Sequence, residues 1–268
     1  MCRKNNAPIT TCAVIPAAGL GSRFYPYTKL IPKELLPINN RPAIDFALDE
    51  IVQAQIQNLC VIASPTKQIM LEYLNGFSTT LKLKTVEQNQ PKGLGHAVFI
   101  AKKAVEKFSI IPVLLPDNIF VGSTNITQLL IDQFLSQNCC ATIALVEVPA
   151  ETVKNYGIAN PEHVSSPSIQ SFILKNFVEK PAADQAPSNL AVMGRYVFSP
   201  CIFDALDNLE TGALGEIQLT DAINKLIFTG KKVVGIKITE QFFDVGNLNG
   251  WLEANNSIVK QQGRYYSL

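Results

Sequence analysis

The sequence predicts a doubly wound α/β fold: a mostly parallel sheet with helices on both faces, extended by a small substrate-covering β/α lobe. Three observations predict it. Short, continuously apolar runs alternate with amphipathic helical patterns as far as residue 148. The first apolar run ends in a glycine-containing loop, Pro16-Ala-Ala-Gly19-Leu-Gly21, as strands of open α/β sheets do where they meet a ligand. The 268 residues, 47% hydrophobic and 17% charged, can bury a large core and are too few for a multidomain machine.

Taken in order, Ala13-Val14-Ile15 reads as the first buried strand. Pro42 suits the first turn of a helix that carries Ile44, Ala47, Leu48, Ile51 and Val52 on one face. Leu59 to Ala63 is the next strand and Pro65 to Leu74 the next helix. Lys82 to Gln88 is a third strand, Gly95 to Val105 a helix, and Ile110 to Leu115 a strand that ends in Pro116-Asp117. Ile126 to Leu135 is helical, and Ala141 to Val148 is again a strand. Strands apolar throughout, rather than alternating, imply a sheet covered on both faces. Beyond residue 150 the rhythm changes: 157–160, 171–179 and 190–198 read as strands, 200–208 and 216–228 as helices, Val233 to Ile238 as a strand, and the last twenty residues as a helix. The expected organisation is one domain over 1–268. Its first half spans about 12–150 and its second, substrate-covering half about 151–245, with a C-terminal helix to 268.

Composition excludes several classes. Lys+Arg 23 against Asp+Glu 22 leaves no global charge for a nucleic acid polymer. No run approaches the roughly 20 apolar residues needed to cross a bilayer, and the polar opening Met1-Cys-Arg-Lys-Asn-Asn6 is unlike a signal peptide. Six cysteines without a Cys-x-x-Cys pair, beside only two histidines, argue against a zinc site and for free thiols in a reducing, cytoplasmic setting.

The chemistry-bearing residues sit where strands end. After the first strand, Gly19 and Gly21 let backbone amides approach phosphate oxygens, and Arg23 and Lys33 add charge suited to a polyphosphate. Phe24 stands where the dinucleotide fingerprint needs its third glycine, and no Gly-Lys-Ser/Thr of a Walker loop is present. Asp117 and Asp244, each just after an apolar strand, could supply hard oxygen ligands for Mg²⁺ or simply cap a loop. Gln88, before Lys92-Gly-Leu-Gly95-His96, can donate and accept, as reading a base requires; an ordinary strand–helix connection is the plain alternative. Glu179-Lys180 could grip a sugar hydroxyl and a phosphate or be a solvated pair, and Gly215 to Asp221 reads as a helix entry.

These segments, with Tyr156-Gly157, Val178-Glu-Lys-Pro181, Gly194-Arg-Tyr196, Gly215-Glu-Ile-Gln-Leu-Thr-Asp221 and Asp244-Val-Gly-Asn247, recur in order in a known family. From about residue 12 to 260 the chain resembles the bacterial UTP–glucose-1-phosphate uridylyltransferases, within the sugar-phosphate nucleotidylyltransferases. The resemblance implies a Rossmann-like nucleotidyltransferase fold, UTP and glucose 1-phosphate as substrates, and Mg²⁺ as cofactor, and it leaves room for a homo-oligomer. It places Ala18, Gly19, Gln88 and Gly93 at the uracil and Gly21, Ser22 and Arg23 at the triphosphate. Lys33 falls at the transferring phosphate, so that Arg23, Lys33 and Asp117 form the catalytic set. Gly157 and Glu179 fall at the glucose, Lys180 at its phosphate, and Asp117 and Asp244 at the metal. Leu248 stands where the family pattern has lysine, the stretch from Leu74 to Glu87 is short, and Asn118-Ile-Phe120 is closer to thymidylyltransferase relatives. The same reaction with dTTP or another hexose phosphate, or a weakly active regulatory paralogue, therefore stay open as alternatives.

Overall fold

The computed structural model describes residues 8–76, 81–166, 170–207, 209 and 215–262. Cys2, the end of the expected helix at 208 and the last six residues of the expected C-terminal helix lie outside them. In chain order the elements are β1 (Cys12–Ala17), β2 (Pro37–Ile38), β3 (Arg41–Pro42), α1 (Ile44–Gln53), β4 (Asn58–Ala63), α2 (Gln68–Gly76), β5 (Lys82–Glu87), α3 (Leu94–Ile100), α4 (Lys102–Val105), β6 (Ile111–Leu114) and β7 (Asn118–Val121). There follow α5 (Ile126–Ser136), β8 (Ala141–Glu147), β9 (Gly157–Ser166), β10 (Ser171–Glu179), β11 (Leu190–Phe198), α6 (Cys201–Leu206), α7 (Leu219–Phe228), β12 (Val233–Lys237), β13 (Gln241–Asp244) and α8 (Leu248–Gln262).

Nine strands form one sheet in the order β5-β4-β1-β6-β11-β8-β12-β10-β9. β5, β4, β1 and β6 are mutually parallel, and β12 is parallel to β8. β11 runs antiparallel to both β6 and β8, and β10 antiparallel to both β12 and β9. The sheet is therefore mixed, which corrects the expectation of a mostly parallel one. A short antiparallel strand carries the same unbroken apolar signature as a parallel one when both its faces are covered, and β11 is buried along nearly its whole length. At its far edge β9 returns to meet β11 at Ala191↔Ile158, so the second half of the chain bends toward the strand ends of the first.

Alternation within β1 shows both faces covered. Cys12 and Val14 join a core with residues of α3, α4, α6 and α7, while Ala13 and Ile15 join one with residues of α1, α2 and α5. Two expected boundaries move. Pro42 belongs to the small β2–β3 hairpin and α1 begins at Ile44, because the Ala43 N–H closes the hairpin turn onto Leu36 O. The helix read over 95–105 is interrupted at Ala101, whose N–H bonds to Val98 O in a tighter turn.

The β6–β11–β8 seam predicts a large core penalty. Phe198 is fully buried and stacks on Tyr196 at 5.7 Å between ring centroids. Phe198→Ala should cost about 3–5 kcal/mol in chemical denaturation; a loss within the roughly 0.5 kcal/mol of a surface site would refute this.

Candidate active site

The parallel strands β5, β4, β1 and β6 end on one edge, where Ala18–Arg23 follow β1, Gln88 follows β5 and Asp117 lies just beyond β6. Beyond β1, Ala18 is buried while Gly19, Ser22 and Arg23 are exposed. Gly21 turns the loop in the left-handed region, φ 67° and ψ 29°. A Cβ there would press on the Thr28 and Lys33 side chains at 3.2 and 3.3 Å, so glycine serves both the turn and the close approach. Gly21 O accepts from Thr28 Oγ1 at 2.7 Å, and the buried Phe24 ring pins the turn to the protein.

Lys33 is set by its neighbour. Glu34 is buried and accepts from Lys67 Nζ at 2.7 and 2.8 Å, and the same ammonium donates to Ala17 O at 2.7 Å. The segment 32–35 is thus tied to the end of β1. Burial, only partly offset by Glu34, pushes the Lys67 ammonium below its ordinary pKa. With Glu34 turned inward, Lys33 turns to the strand ends, where Nζ donates to Asp117 Oδ2.

Asp117 lies at the corner between β6 and β7, and Asp244 ends β13. The sequence places Asp244 just after the apolar strand that is β12; instead it is the last residue of a further short strand. β13 pairs antiparallel with β7, register Asp244↔Asn118, and this ladder brings together residues far apart in sequence. Val245 N–H donates to Asp117 O at 2.8 Å. The carboxylates close on Gly246: a Cβ there would sit 2.9 Å from Asp117 Oδ2 and 3.0 Å from Asp244 Oδ1. Gly246 N–H and the Asn247 amide both donate to the Asp244 carboxylate, at 3.0 and 3.1 Å.

The charges interact. Burial works to raise the Asp117 carboxyl, but the bonded Lys33 ammonium and the charge of Arg23 outweigh it and hold it below the carboxylate range. Burial works to lower Lys33, and Asp117, Glu34 and Asp244 together raise it. For Asp244, burial and then the like charge of Asp117 win, and its carboxyl lies above the usual range. Arg23, Lys33, Asp117 and Asp244 therefore share one field. Two carboxylates are too few for an all-protein metal cage, and no group of three such ligands occurs among the described residues. The hard carboxylate oxygens that close on Gly246 nevertheless fit Mg²⁺, which completes its shell with water and substrate phosphates.

On one side of this cluster, Gln88 follows β5 and is 4% exposed. Its Nε2 donates to Nδ1 of His96 at 2.6 Å, and burial followed by the nearby Lys92 keeps the imidazole pKa low, so the ring is neutral and can accept. His96, without an assigned role from the sequence, bonds the amide here and orients it. Gly93 (φ 99°) and Gly95 carry the segment into α3, and a Cβ on either would lie 2.7 Å from Ile217 O. Gly95 N–H donates to Ile217 O and Ile217 N–H to Lys92 O.

On the other side lies a cavity of about 190 Å³ bordered by Asn118, Tyr156, Gly157, Glu179, Thr220 and Asp244. Gly157 and Glu179 are partners in the β9–β10 ladder, and a Cβ on Gly157 would approach Glu179 Oε2 to 3.0 Å. Thr220 Oγ1 donates to Glu179 Oε2 at 3.1 Å. Thr220 was read as part of a plain helix entry; only the folding of 215–220 onto the glycine pair brings it here. Lys180, exposed in the left-handed region at φ 46°, follows Glu179, with its N–H on Tyr156 O at 3.0 Å. It is not among the residues that line the cavity.

A glycine loop, paired carboxylates and a lysine at the strand ends of an α/β sheet define a site for phosphoryl or nucleotidyl chemistry. The chain belongs to the nucleotidyl transferase family, whose sequence model matches residues 12–261. It is 37% identical to the UTP–glucose-1-phosphate uridylyltransferase of Bacillus subtilis (strain 168), over 93% of this chain and 91% of that one. A solved UDP-glucose pyrophosphorylase complexed with UDP-glucose superposes with a TM-score of 0.87 at 30% identity, covering 95% of this chain and all of the other. The UTP-bound enzyme from Acinetobacter baumannii superposes at 0.80 with 32% identity, covering 94% of each chain.

The carboxylate pair predicts a titration. In Asp117→Asn the like charge beside Asp244 is gone, so the Asp244 carboxyl should titrate at lower pH when followed by ¹³C NMR. An unmoved Asp244 would show that the two groups do not interact.

Proposed function

We propose that this chain forms UDP-glucose and pyrophosphate from UTP and glucose 1-phosphate. The observation that carries the reading is that Asp244 belongs both to the charge cluster around Lys33 and to the wall of the cavity holding Glu179 and Thr220. A triphosphate on the glycine loop and a hydroxylated, phosphorylated ligand in the cavity would meet at that residue. In the reaction, a phosphate oxygen of glucose 1-phosphate attacks the α-phosphorus of UTP in line. A new P–O bond forms as the bond to the β-phosphate oxygen breaks, and the electron pair leaves on pyrophosphate. No protein nucleophile and no net proton transfer are needed.

The residues divide the work by chemistry. Amides of the loop at Gly21 and Ser22, with Arg23, hold the triphosphate. Ala18, Gly19, Gln88 and Gly93 frame the base, with Gln88 oriented by His96. Lys33 exchanges its bond with Asp117 for one to the transferring phosphate, where a fixed cation stabilises charge shared between entering and leaving oxygens. Gly157 leaves room for the sugar ring, Glu179 accepts from its hydroxyls, and Lys180 meets its phosphate.

Mg²⁺ held by Asp117 and Asp244 would neutralise and align the phosphates. Charge balance favours it: Arg23, Lys33 and Lys67 are matched by Glu34, Asp117 and Asp244, so the cluster has little positive charge to spare for two phosphorylated substrates. The reducing, cytoplasmic setting read from the thiols belongs to the same proposal; burial lifts Cys12 to about 11 and Cys60 to about 12, leaving both unreactive.

Pyrophosphate release across UTP, dTTP and other nucleotides crossed with hexose 1-phosphates tests the reading. UTP with glucose 1-phosphate should give the highest kcat/KM, and a different optimal pair would overturn it. Lys180→Ala should raise KM for the sugar phosphate by roughly tenfold or more, the loss of one charge-assisted contact, and leave KM for UTP nearly unchanged. Equal effects would remove Lys180 from the sugar phosphate.

A further inference from the structure

The largest fully buried side chain in the described structure is a cation, Arg195 of β11, 1% exposed. It does not line the cavity, although Gly194 and Tyr196 on either side of it do. All five guanidinium N–H groups are engaged. Nε and Nη2 donate to the Glu50 carboxylate of α1 at 3.0 and 2.7 Å. The remaining donors go to backbone carbonyls: Nη1 to Leu115 O at 2.8 Å and Gly194 O at 3.1 Å, and Nη2 to Asn118 O at 2.9 Å. The plane lies over the Phe120 ring, 5.5 Å from its centroid, and Glu50 is held in turn by Thr127 Oγ1 at 2.8 Å.

The placement of those carbonyls carries the inference. Leu115 and Asn118 bracket Asp117, at the corner where β6 has ended and β7 begins. Leu115 N–H is fixed to Gly194 O at 2.8 Å, and Asp117 O to Val245 N–H at 2.8 Å. Any buried guanidinium must have all five N–H groups bonded, so what distinguishes this one is where the three not given to Glu50 go. Here more than half of the donors bind the site's own backbone or the strand beside it.

We propose that Arg195 is a positioning residue: through the carbonyls of Leu115 and Asn118 it holds the Asp117 carboxylate against Lys33 and beside Asp244. The proposal rests on the catalytic reading of Asp117. Lysine, with three donors around one nitrogen and no planar fork, cannot span the carboxylate and both carbonyls.

The test uses Arg195→Lys, Arg195→Met and the double variant Glu50→Met/Arg195→Met, each followed by thermal unfolding, steady-state kinetics and crystallography. Arg195→Met leaves Glu50 buried and unpaired and should lower the melting temperature, which the double variant recovers at least in part. Turnover should not recover with it. We expect kcat of the double variant and of Arg195→Lys to stay depressed by roughly ten- to a hundredfold, the scale of a small misplacement of a reacting group, with both KM values within about twofold. In crystal structures of the substrate-free variants, the Asp117 carboxylate should lie displaced from Lys33 and Asp244. Recovery of kcat together with melting temperature in the double variant, or an unmoved Asp117 carboxylate in a folded Arg195→Lys, would make Arg195 merely structural and overturn the proposal. Should the wild type itself lack turnover, the functional reading fails, while the place of Asp117 in those crystal structures still decides the positioning.

Discussion

Two carboxylates held side by side in a half-buried corner set the terms for the rest of this structure. Asp117 and Asp244 repel, burial penalises both, and Lys33 alone offsets the first of them directly. Such a pair persists only if the backbone holds it rigidly. The structure supplies that hold twice: the β7–β13 ladder registers Asp244 with Asn118, and Arg195 grips the carbonyls around Asp117. The tension has a use. Carboxylates kept close are ready to share a cation, and a lysine bonded to one of them is available when a more highly charged partner arrives.

The mixed sheet gives this corner its second wall. A parallel strand next to β6 would present its carboxyl end here, with a loop and a helix to follow. Because β11 runs the other way, its first half lies at the site, and Gly194 packs against Asn118; a Cβ on Gly194 would sit 2.2 Å from Asn118 Oδ1. The same reversal threads Arg195 behind the site, opposite Leu114 in register. One antiparallel strand therefore contributes both a cavity wall and the clamp beneath it.

Much of this was legible in the sequence, and what escaped has a common physical character. Long apolar runs and amphipathic helices announce themselves locally, so the elements from β1 to β12, apart from the β2–β3 hairpin and β7, fall close to their expected places. The glycine loop with Arg23 and Lys33 stood out as strand-end chemistry, whereas aspartate is common at strand ends, so Asp117 and Asp244 took their place in the site from the family resemblance. The reversal of β11 was not, since an apolar strand buried on both faces carries no sign of its direction. β7 and β13 are short and exist through each other. The roles of Lys67, Glu50 and Arg195 depend on pairings across long sequence separations, and a charged residue in a local window looks solvated until its partner is known. Thr220 and His96 escaped for the same reason: each acts on a site residue, Glu179 or Gln88, that another element delivers.

That last pair exposes a link between the two halves of the site. Gly93 and Gly95 leave no room for a side chain against Ile217 O, and two backbone hydrogen bonds lock Lys92–Gly95 to that residue. Three positions further, Thr220 bonds the carboxylate of Glu179; one position after Gly95, His96 bonds the amide of Gln88. The group proposed to read the base and the group proposed to hold the sugar are thus joined by a strap of backbone contacts with one side-chain hydrogen bond at each end. In the proposed reaction, which must align two anions, such a strap would fix the distance between the two subsites.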